Sequence, residues 1–423
     1  MQEDFLHYLW KHKKFDVLKL QTTEYKPVEV ISVGQLNVNS GPDFFNAKLR
    51  VGEQLWAGNV EIHLKSSDWF LHNHETDKAY DNVILHVVWE HDTDVFRQDN
   101  SKLPTLLLKE FVPENAIKNY KALINNLQTW INCENDFASV DDFIIQNWLE
   151  RLYLERLEEK SETIEALLKQ SNNDWEAVLF KMLAKNFGLK VNGDAFLSLA
   201  NSLDFSGVRK LQSNINQLEA LLFGQAAMLN ETIEDAYYKN LQNEYKFLEQ
   251  KFKLQNDSVL PVQYFRLRPL NFPTIRLAQF AMLYHLQQHL FSKIINVGTL
   301  KEFYKVMMNG TSAYWESHYT FDKTSKPSRK TMSKSFIDLL LINTIIPLKY
   351  CYAKHNGKDN HEDILKLIQE IKSEKNSIVD KFQSFKPISK SALQSQALIQ
   401  LKKSYCDNNK CLQCAIGNTV LSL

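Results

Sequence analysis

Cysteine is scarce in this 423-residue chain. Its five copies are too few and too unevenly placed for the disulfide framework of a small secreted fold. Net charge is missing too. The 50 Lys and Arg balance the 50 Asp and Glu, which argues against a uniformly basic nucleic-acid coat and leaves room for local basic patches. No apolar run reaches the roughly 18 residues that read as a membrane-spanning helix. SFIDLLLINTIIPLKY comes closest and is interrupted by Asp338, Asn343 and Pro347. The opening MQEDFLHYLWKHKK lacks the apolar stretch and small-residue cleavage site of a signal peptide. Neither a fixed-period repeat nor a low-complexity tract is present. Together these absences point to a cytoplasmic protein without a membrane segment.

What remains is ordinary globular material, 44% hydrophobic and 12% aromatic, which can bury a core unaided. The length implies two or more domains. The composition changes near INCENDFAS, so we place a boundary there, with an α/β domain over 1–135 and a mainly helical domain over 136–423. The first hundred residues are acidic, with 16 Asp and Glu against 10 Lys and Arg, and they hold seven of the twelve histidines.

In the first part, EDFLHYLWKHKKF sets Phe5, Leu6, Leu9 and Trp10 on one helical face. PVEVISVG reads as a strand. GPDFFNAKLRV and QLWAGNVEIHLK read as a hairpin turning near Gly52-Glu53. SDWFLHNHETDKAY follows as an irregular or short helical piece. NVILHVVW, apolar on both faces, reads as a strand buried inside a sheet, and KLPTLLLKEFV as a further strand. Helix, three strands, helical piece and strand make a mixed-sheet α/β (α+β) layout. Beyond the boundary, SVDDFIIQNWLERLYLERLEEK opens with a Ser139-x-x-Asp142 start signal, and helical periodicity continues through most of the remainder. TFDKTSKPSRKTMSKSF reads as an exposed basic loop.

The hairpin carries chemistry. Strand alternation puts Val60, Ile62 and Leu64 on one face and Asn59, Glu61, His63 and Lys65 on the other. Asp43 lies on the partner arm. Antiparallel pairing alone does not make it level with Glu61, but a twist or bulge after Gly41-Pro42 would. Two carboxylates at adjacent strand ends suit a hard divalent cation, Mg²⁺ or Mn²⁺. Such an ion polarises a phosphoryl oxygen and acidifies bound water while a basic group stabilises developing charge. Pro42-Asp43 followed by Glu61-Ile62-His63 resembles the PD-(D/E)XK nuclease superfamily, whose frame is helix, strand, strand with the first Asp, strand with acidic-x-Lys, helix, strand. The resemblance covers roughly the first hundred residues and implies a restriction-endonuclease-like fold. It assigns the metal to Asp43 and Glu61, assistance of the water to His63 or Lys65, and completion of the site to Glu3 or Asp4 on the opening helix. His63 stands where that family has Lys, and Lys65 lies one same-face position further on.

These features make a metal-dependent phosphodiesterase acting on nucleic acid the leading expectation. One alternative is a non-catalytic nucleic-acid- or protein-binding scaffold with a degenerate nuclease core. Another is a metal-dependent hydrolase built on the histidines, since His63, His72, His74, His86 and His91 suit a transition metal. SGPDF, GNVEIHLKSSDW, HNH, VILHVVW, RLRPLNFPTIRLAQ and the cysteine tail resemble a bacterial family known as domain of unknown function two-eight-five-one. That likeness spans nearly the whole chain and implies no activity.

Two further motifs lie in the helical part. Arg266, Arg268 and Arg276 cluster in YFRLRPLNFPTIRLAQF, offering forked donors that would hold phosphate or pair with acids of the first part. Cys406-x4-Cys411-x2-Cys414 spaces three thiols as in plant-type iron–sulfur ligation. A fourth ligand has to come from upstream, from Cys351 or Cys133 for either zinc or an iron–sulfur cluster, or from a histidine for zinc. Some PD-(D/E)XK nucleases are similar in combining a distant upstream cysteine with a C-terminal trio around a [4Fe–4S] cluster, with different spacings.

Overall fold

The structure, a computed structural model, describes residues 1–124 and 129–422. The chain forms two compact units. The first comprises Met1–Trp148, Ser384–Lys386 and Gln400–Leu423; the second comprises Leu149–Gln383 and Pro387–Ile399. The tail that composition groups with the helical domain therefore belongs to the α/β unit. The boundary falls inside a helix, Asp142–Gln170. Neither point leaves a mark in composition, because a chain that returns to its starting unit does so through tertiary contacts.

The first unit opens with helix α1 (Glu3–Lys11), which buries Phe5, Leu6, Tyr8, Leu9 and Trp10. Phe5 stacks on Tyr120 with ring centroids 3.9 Å apart, and the Trp10 indole N–H donates to the Val33 carbonyl. The strands are β1 (Val28–Ser32), β2 (Gln35–Leu36), β3 (Phe44–Val51), β4 (Gln54–Lys65), β5 (Val83–Glu90) and β6 (Thr105–Leu107). They form one mixed sheet in the order β1-β3-β4-β5-β6, with β2 also paired to β3. β1, β3 and β4 run antiparallel, whereas β4–β5 and β5–β6 are parallel. The β3–β4 hairpin turns through Gly52, at φ +61°. β5 is buried from Val83 through Trp89, as a strand covered on both faces should be. Between β4 and β5 lie the short helix α2 (Asp68–Leu71) and a 3₁₀ turn at Lys78–Tyr80. Trp69, Tyr80, Val83, Val95 and Leu103 form an apolar cluster beneath the connection from β4 to β5. Helix α3 (Glu114–Ile124) and the C-terminal helix Ala415–Ser422 pack together in the same unit.

The second unit is helical, with a small two-stranded ladder at His318–Thr320 and Lys323–Thr324. Its helix Lys334–His355 has the length and hydropathy of a membrane span, yet 72% of its apolar window is buried inside the fold, which is how a core helix of a folded unit behaves. Leu341–Ile345 within it are π-helical. The basic loop departs from expectation at one position. Lys330 is buried, its ammonium donating to the Trp315 and Glu316 carbonyls and lying 4.2 Å from the Tyr319 ring centroid. Two backbone acceptors and an aromatic face substitute for water around that charge.

Candidate metal centre

Asp43 is set by the turn before it. Asn37 Nδ2 stands 3.0–3.3 Å from the carbonyl oxygens of Asn39, Ser40, Gly41 and Pro42, while its backbone N–H donates to the Asp43 carbonyl at 2.7 Å. Gly41, at φ +102°, takes a backbone angle that side chains disfavour. A β-bulge then fixes the level of the arm. Ala47 pairs with Gly58, but Phe44 pairs with Val60, so β3 carries one extra residue. Asn46 adopts a left-handed φ of +56° there, and its N–H donates to Asn59 Oδ1 at 3.3 Å. Continued one step, the Phe44–Val60 register places Asp43 opposite Glu61. Without the bulge Asp43 would face Ile62 and point to the other side of the sheet, because side-chain direction alternates residue by residue. Two hydrogen bonds mark the result. The Asp43 N–H donates to Glu61 Oε2 at 3.1 Å, and the Ile62 N–H donates to Asp43 Oδ2 at 2.9 Å.

Helix α1 supplies the third side of the pocket. Glu3 and His7 are four residues apart and share a helical face. His7 Nε2 lies 3.2 Å from Asp43 Oδ2 and 3.9 Å from Glu3 Oε1. The first separation is an ion-pair distance, but Nε2 is off the line of a hydrogen bond. A ligand atom from each of Glu3, His7 and Asp43 falls within 4.8 Å of the others. Burial opposes a charge on His7, but Asp43, Glu3 and Glu61 outweigh it and raise its pKa.

Imidazoles fill the remaining side. Parallel pairing of β4 and β5 sets His86 beside Glu61. The turn after α2 brings in His72 and His74. His63 Nδ1 is 2.8 Å from His86 Nε2, and His63 Nε2 is 3.2 Å from His72 Nδ1. Glu61 Oε1 lies 3.4 Å from His63 Nε2 and 3.3 Å from His74 Nε2. His74 stacks on Tyr80 at 3.7 Å, and its backbone N–H donates to the Trp69 carbonyl. His63, His72 and His74 form a second set whose ligand atoms converge within 4.8 Å.

The polar face of β4 is therefore enclosed: Glu61 is 4% exposed and His63 1%. Burial, followed by the neighbouring Asp43 carboxylate, pushes Glu61 up to about 9. Burial and the surrounding imidazoles push His63 down to about 2, and burial pushes His86 down to about 3. Neutral imidazoles are the form that binds metal. A divalent cation inverts the electrostatic logic that keeps Glu61 protonated.

Of the residues singled out in the sequence, Asp43, Glu61, His63, His72, His74 and His86 meet here, whereas His91 lies 3.5 Å from Asp94. Lys65 does not: it is exposed at the end of β4, two residues past His63 along the strand. Of the two acids on the opening helix, Glu3 faces the site and Asp4 is exposed. His7 and the turn-forming Asn37 were not foreseen, although the Glu3-x3-His7 spacing on an amphipathic helix is a usable signal. In the second unit, Arg266 and Arg268 are exposed, whereas Arg276 is buried. The Arg276 guanidinium lies 3.6 Å from the Phe336 ring centroid and donates to Gln279 Oε1 and Asn271 Oδ1. The three arginines thus do not form one exposed patch, and among the described residues none of them pairs with a carboxylate. Cys351 is buried in the second unit beside the Ser161 carbonyl.

No curated protein and no solved structure matches the chain. A protein-family comparison matches residues 3–377, a span that ends before the tail cysteines. By that match over nearly its whole length, the chain belongs to the family described as "Protein of unknown function (DUF2851)".

Proposed function

We propose that the first unit is a metal-dependent phosphodiesterase acting on nucleic acid, built on a restriction-endonuclease-like core. The observation that carries this reading is the convergence of Glu3, His7 and Asp43 within 4.8 Å, with Glu61 hydrogen-bonded to the Asp43 backbone. The strand frame supports it: α1, the antiparallel β1, β3 and β4, the short α2, then β5 parallel to β4. An acid on the opening helix, an aspartate heading the second long strand and a glutamate within the third add support to the reading.

In this reading Glu3, His7 and Asp43 hold the cation and Glu61 adds a further oxygen. A mixed carboxylate–imidazole set favours Mn²⁺ over Mg²⁺, which takes oxygen ligands and insists on octahedral geometry. The bound ion polarises a phosphoryl oxygen and lowers the pKa of water. His63, neutral and enclosed, serves as a positioning residue that holds the Glu61 carboxyl between itself and His74. Lys65 takes no part.

The test uses full-length protein with single- and double-stranded DNA and RNA, with Mn²⁺ or with chelator. Wild type should cleave at least one substrate only with the cation, and Asp43→Asn and Glu61→Gln should each lose on the order of 100-fold, as ligand and outer-shell losses commonly do. Equal cleavage by all three proteins, or none by wild type, overturns the reading and leaves a binding scaffold. The His63, His72 and His74 set favours a second reading, a hydrolase whose metal sits on imidazoles. In that case tightly held zinc or iron disappears in a His72→Ala/His74→Ala double variant and survives Asp43→Asn.

A further inference from the structure

The hairpin site uses none of the five cysteines, and four of them fall in one place. Cys406, Cys411 and Cys414 lie in the C-terminal segment, and Cys133 lies more than 270 residues earlier by their numbering. All four belong to the first unit. They line a single cavity together with Ile131, Phe137, Leu401 and Ile416. None is in a disulfide, two are buried and two half-buried.

Without a cation the four stay protonated thiols, because burial opposes the thiolate that any metal needs. Burial raises the pKa of all four, and each of Cys133 and Cys406 feels the other tail sulfurs. Yet the fold around them is specialised. The helix carrying the first tail cysteine turns π-helical over Leu401–Cys406, a distortion frequent at functional sites. Asn132 Nδ2 donates both to Cys411 Sγ at 3.4 Å and to Asn409 Oδ1 at 3.2 Å, tying the loop before Cys411 to the segment that holds Cys133. The backbone N–H groups of Ile416 and Gly417 favour the thiolate form of Cys414. A Cβ at Gly417 would come within 2.2 Å of the Cys411 carbonyl oxygen, so the last helix starts as close to this loop as a chain can. Donors aimed at sulfur are a recognised means by which proteins tune iron–sulfur centres.

The spacing favours a cluster over a single ion. Two thiolates on one zinc lie at most about 4.6 Å apart, twice the ~2.3 Å Zn–S bond, and closer in a tetrahedral site. Among the described residues, no three of these sulfurs fall within 4.8 Å of one another. A polynuclear centre bridges such a spread without drawing three sulfurs onto one ion.

We propose that Cys133, Cys406, Cys411 and Cys414 together ligate an iron–sulfur cluster that fastens the C-terminal segment onto the first unit. This stands apart from the phosphodiesterase reading and uses none of its residues. The test is iron, zinc and acid-labile sulfide analysis of anaerobically purified full-length protein, with its visible spectrum before and after a reductant. Iron and sulfide should appear in equal amounts, roughly two or four of each per chain for a [2Fe–2S] or [4Fe–4S] cluster, with a visible absorbance that bleaches on reduction. Cys133→Ser and Cys414→Ser should lose most of the iron and sulfide, and Cys351→Ser, in the second unit, should keep both. One zinc per chain without sulfide, metal-free wild type, or equal iron loss in Cys351→Ser overturns the proposal. The wild-type measurement decides the matter even if the Cys133 or Cys414 variant does not fold, and sulfide cannot arise from an ion at the hairpin.

Discussion

Replacing Glu61 by Gln should make the cation-free protein more stable while weakening its response to Mn²⁺. Glu61 is enclosed, and its folded pKa is raised from 4.5 to about 9. A carboxyl whose folded pKa exceeds its unfolded one loses stability as pH rises, because the unfolded chain gives up the proton first. The loss begins near pH 4.5 and continues until the folded group ionises near 9. At pH 7 about 2.5 pH units of that window have been crossed, which at 1.36 kcal/mol per unit is on the order of 3 kcal/mol. Glutamine keeps the shape and hydrogen-bonding ends of the protonated acid but cannot ionise in the unfolded state, so it escapes this penalty. In chelator the variant should match wild type near pH 4.5 and exceed it by up to that amount at pH 7. Mn²⁺ should then raise the midpoint of wild type by mass action and raise that of the variant much less at the same concentration. The assay is urea unfolding at several pH values, followed by hydrogen exchange of β4 so that the first unit is read separately. A Glu61→Gln protein less stable than wild type at pH 7 in chelator would refute the reasoning, for it would mean that the carboxylate itself holds the hairpin together.

Other substitutions probe the geometry around this centre and beyond it. Asn46→Gly should be tolerated at the left-handed bulge position, whereas Asn46→Val should cost about 1–2 kcal/mol and reduce Mn²⁺ binding; equal thermal midpoints for the two would contradict the bulge assignment. Gly224→Ala would place a Cβ 2.1 Å from the Tyr245 ring, so overpacking of about 1–3 kcal/mol is expected in chemical unfolding. If the exposed Arg266 and Arg268 contact nucleic acid, the Arg266→Ala/Arg268→Ala double variant lowers the salt dependence of binding by up to two phosphate contacts. Arg276→Ala instead lowers stability, since it removes a buried side chain packed on Phe336; a binding defect without a stability defect would reverse that assignment.

Much of the first unit is legible because its elements carry simple periods. The α1 face of Phe5, Leu6, Leu9 and Trp10, the β3–β4 hairpin with its turn at Gly52, and the doubly covered β5 follow the pattern of their apolar residues. The same alternation puts Glu61 and His63 on one side of β4. It does not reveal that this side is enclosed, because α1 and the His72–His74 turn reach it only once the sheet has formed. Lys65 illustrates the limit: it shares their face by parity but stands beyond the end of the pocket. Arg276 and Lys330 carry charges that a sequence reading sends to the surface, and each is buried against an aromatic ring instead.

The amino-acid order alone determined most elements and which side of each one is polar, since a period of two or 3.6 residues is a local property of the backbone; the strand expected through KLPTLLLKEFV is confined to Thr105–Leu107 and gives way to a 3₁₀ turn over Leu108–Phe111. Tertiary structure decided which polar groups meet. One extra residue in β3 turns Asp43 toward Glu61, the docking of α1 delivers Glu3 and His7, and the return of the tail brings Cys133 to Cys406, Cys411 and Cys414. Periodicity fixes direction but not distance, and the groups of both centres come from segments that only the packed fold makes neighbours.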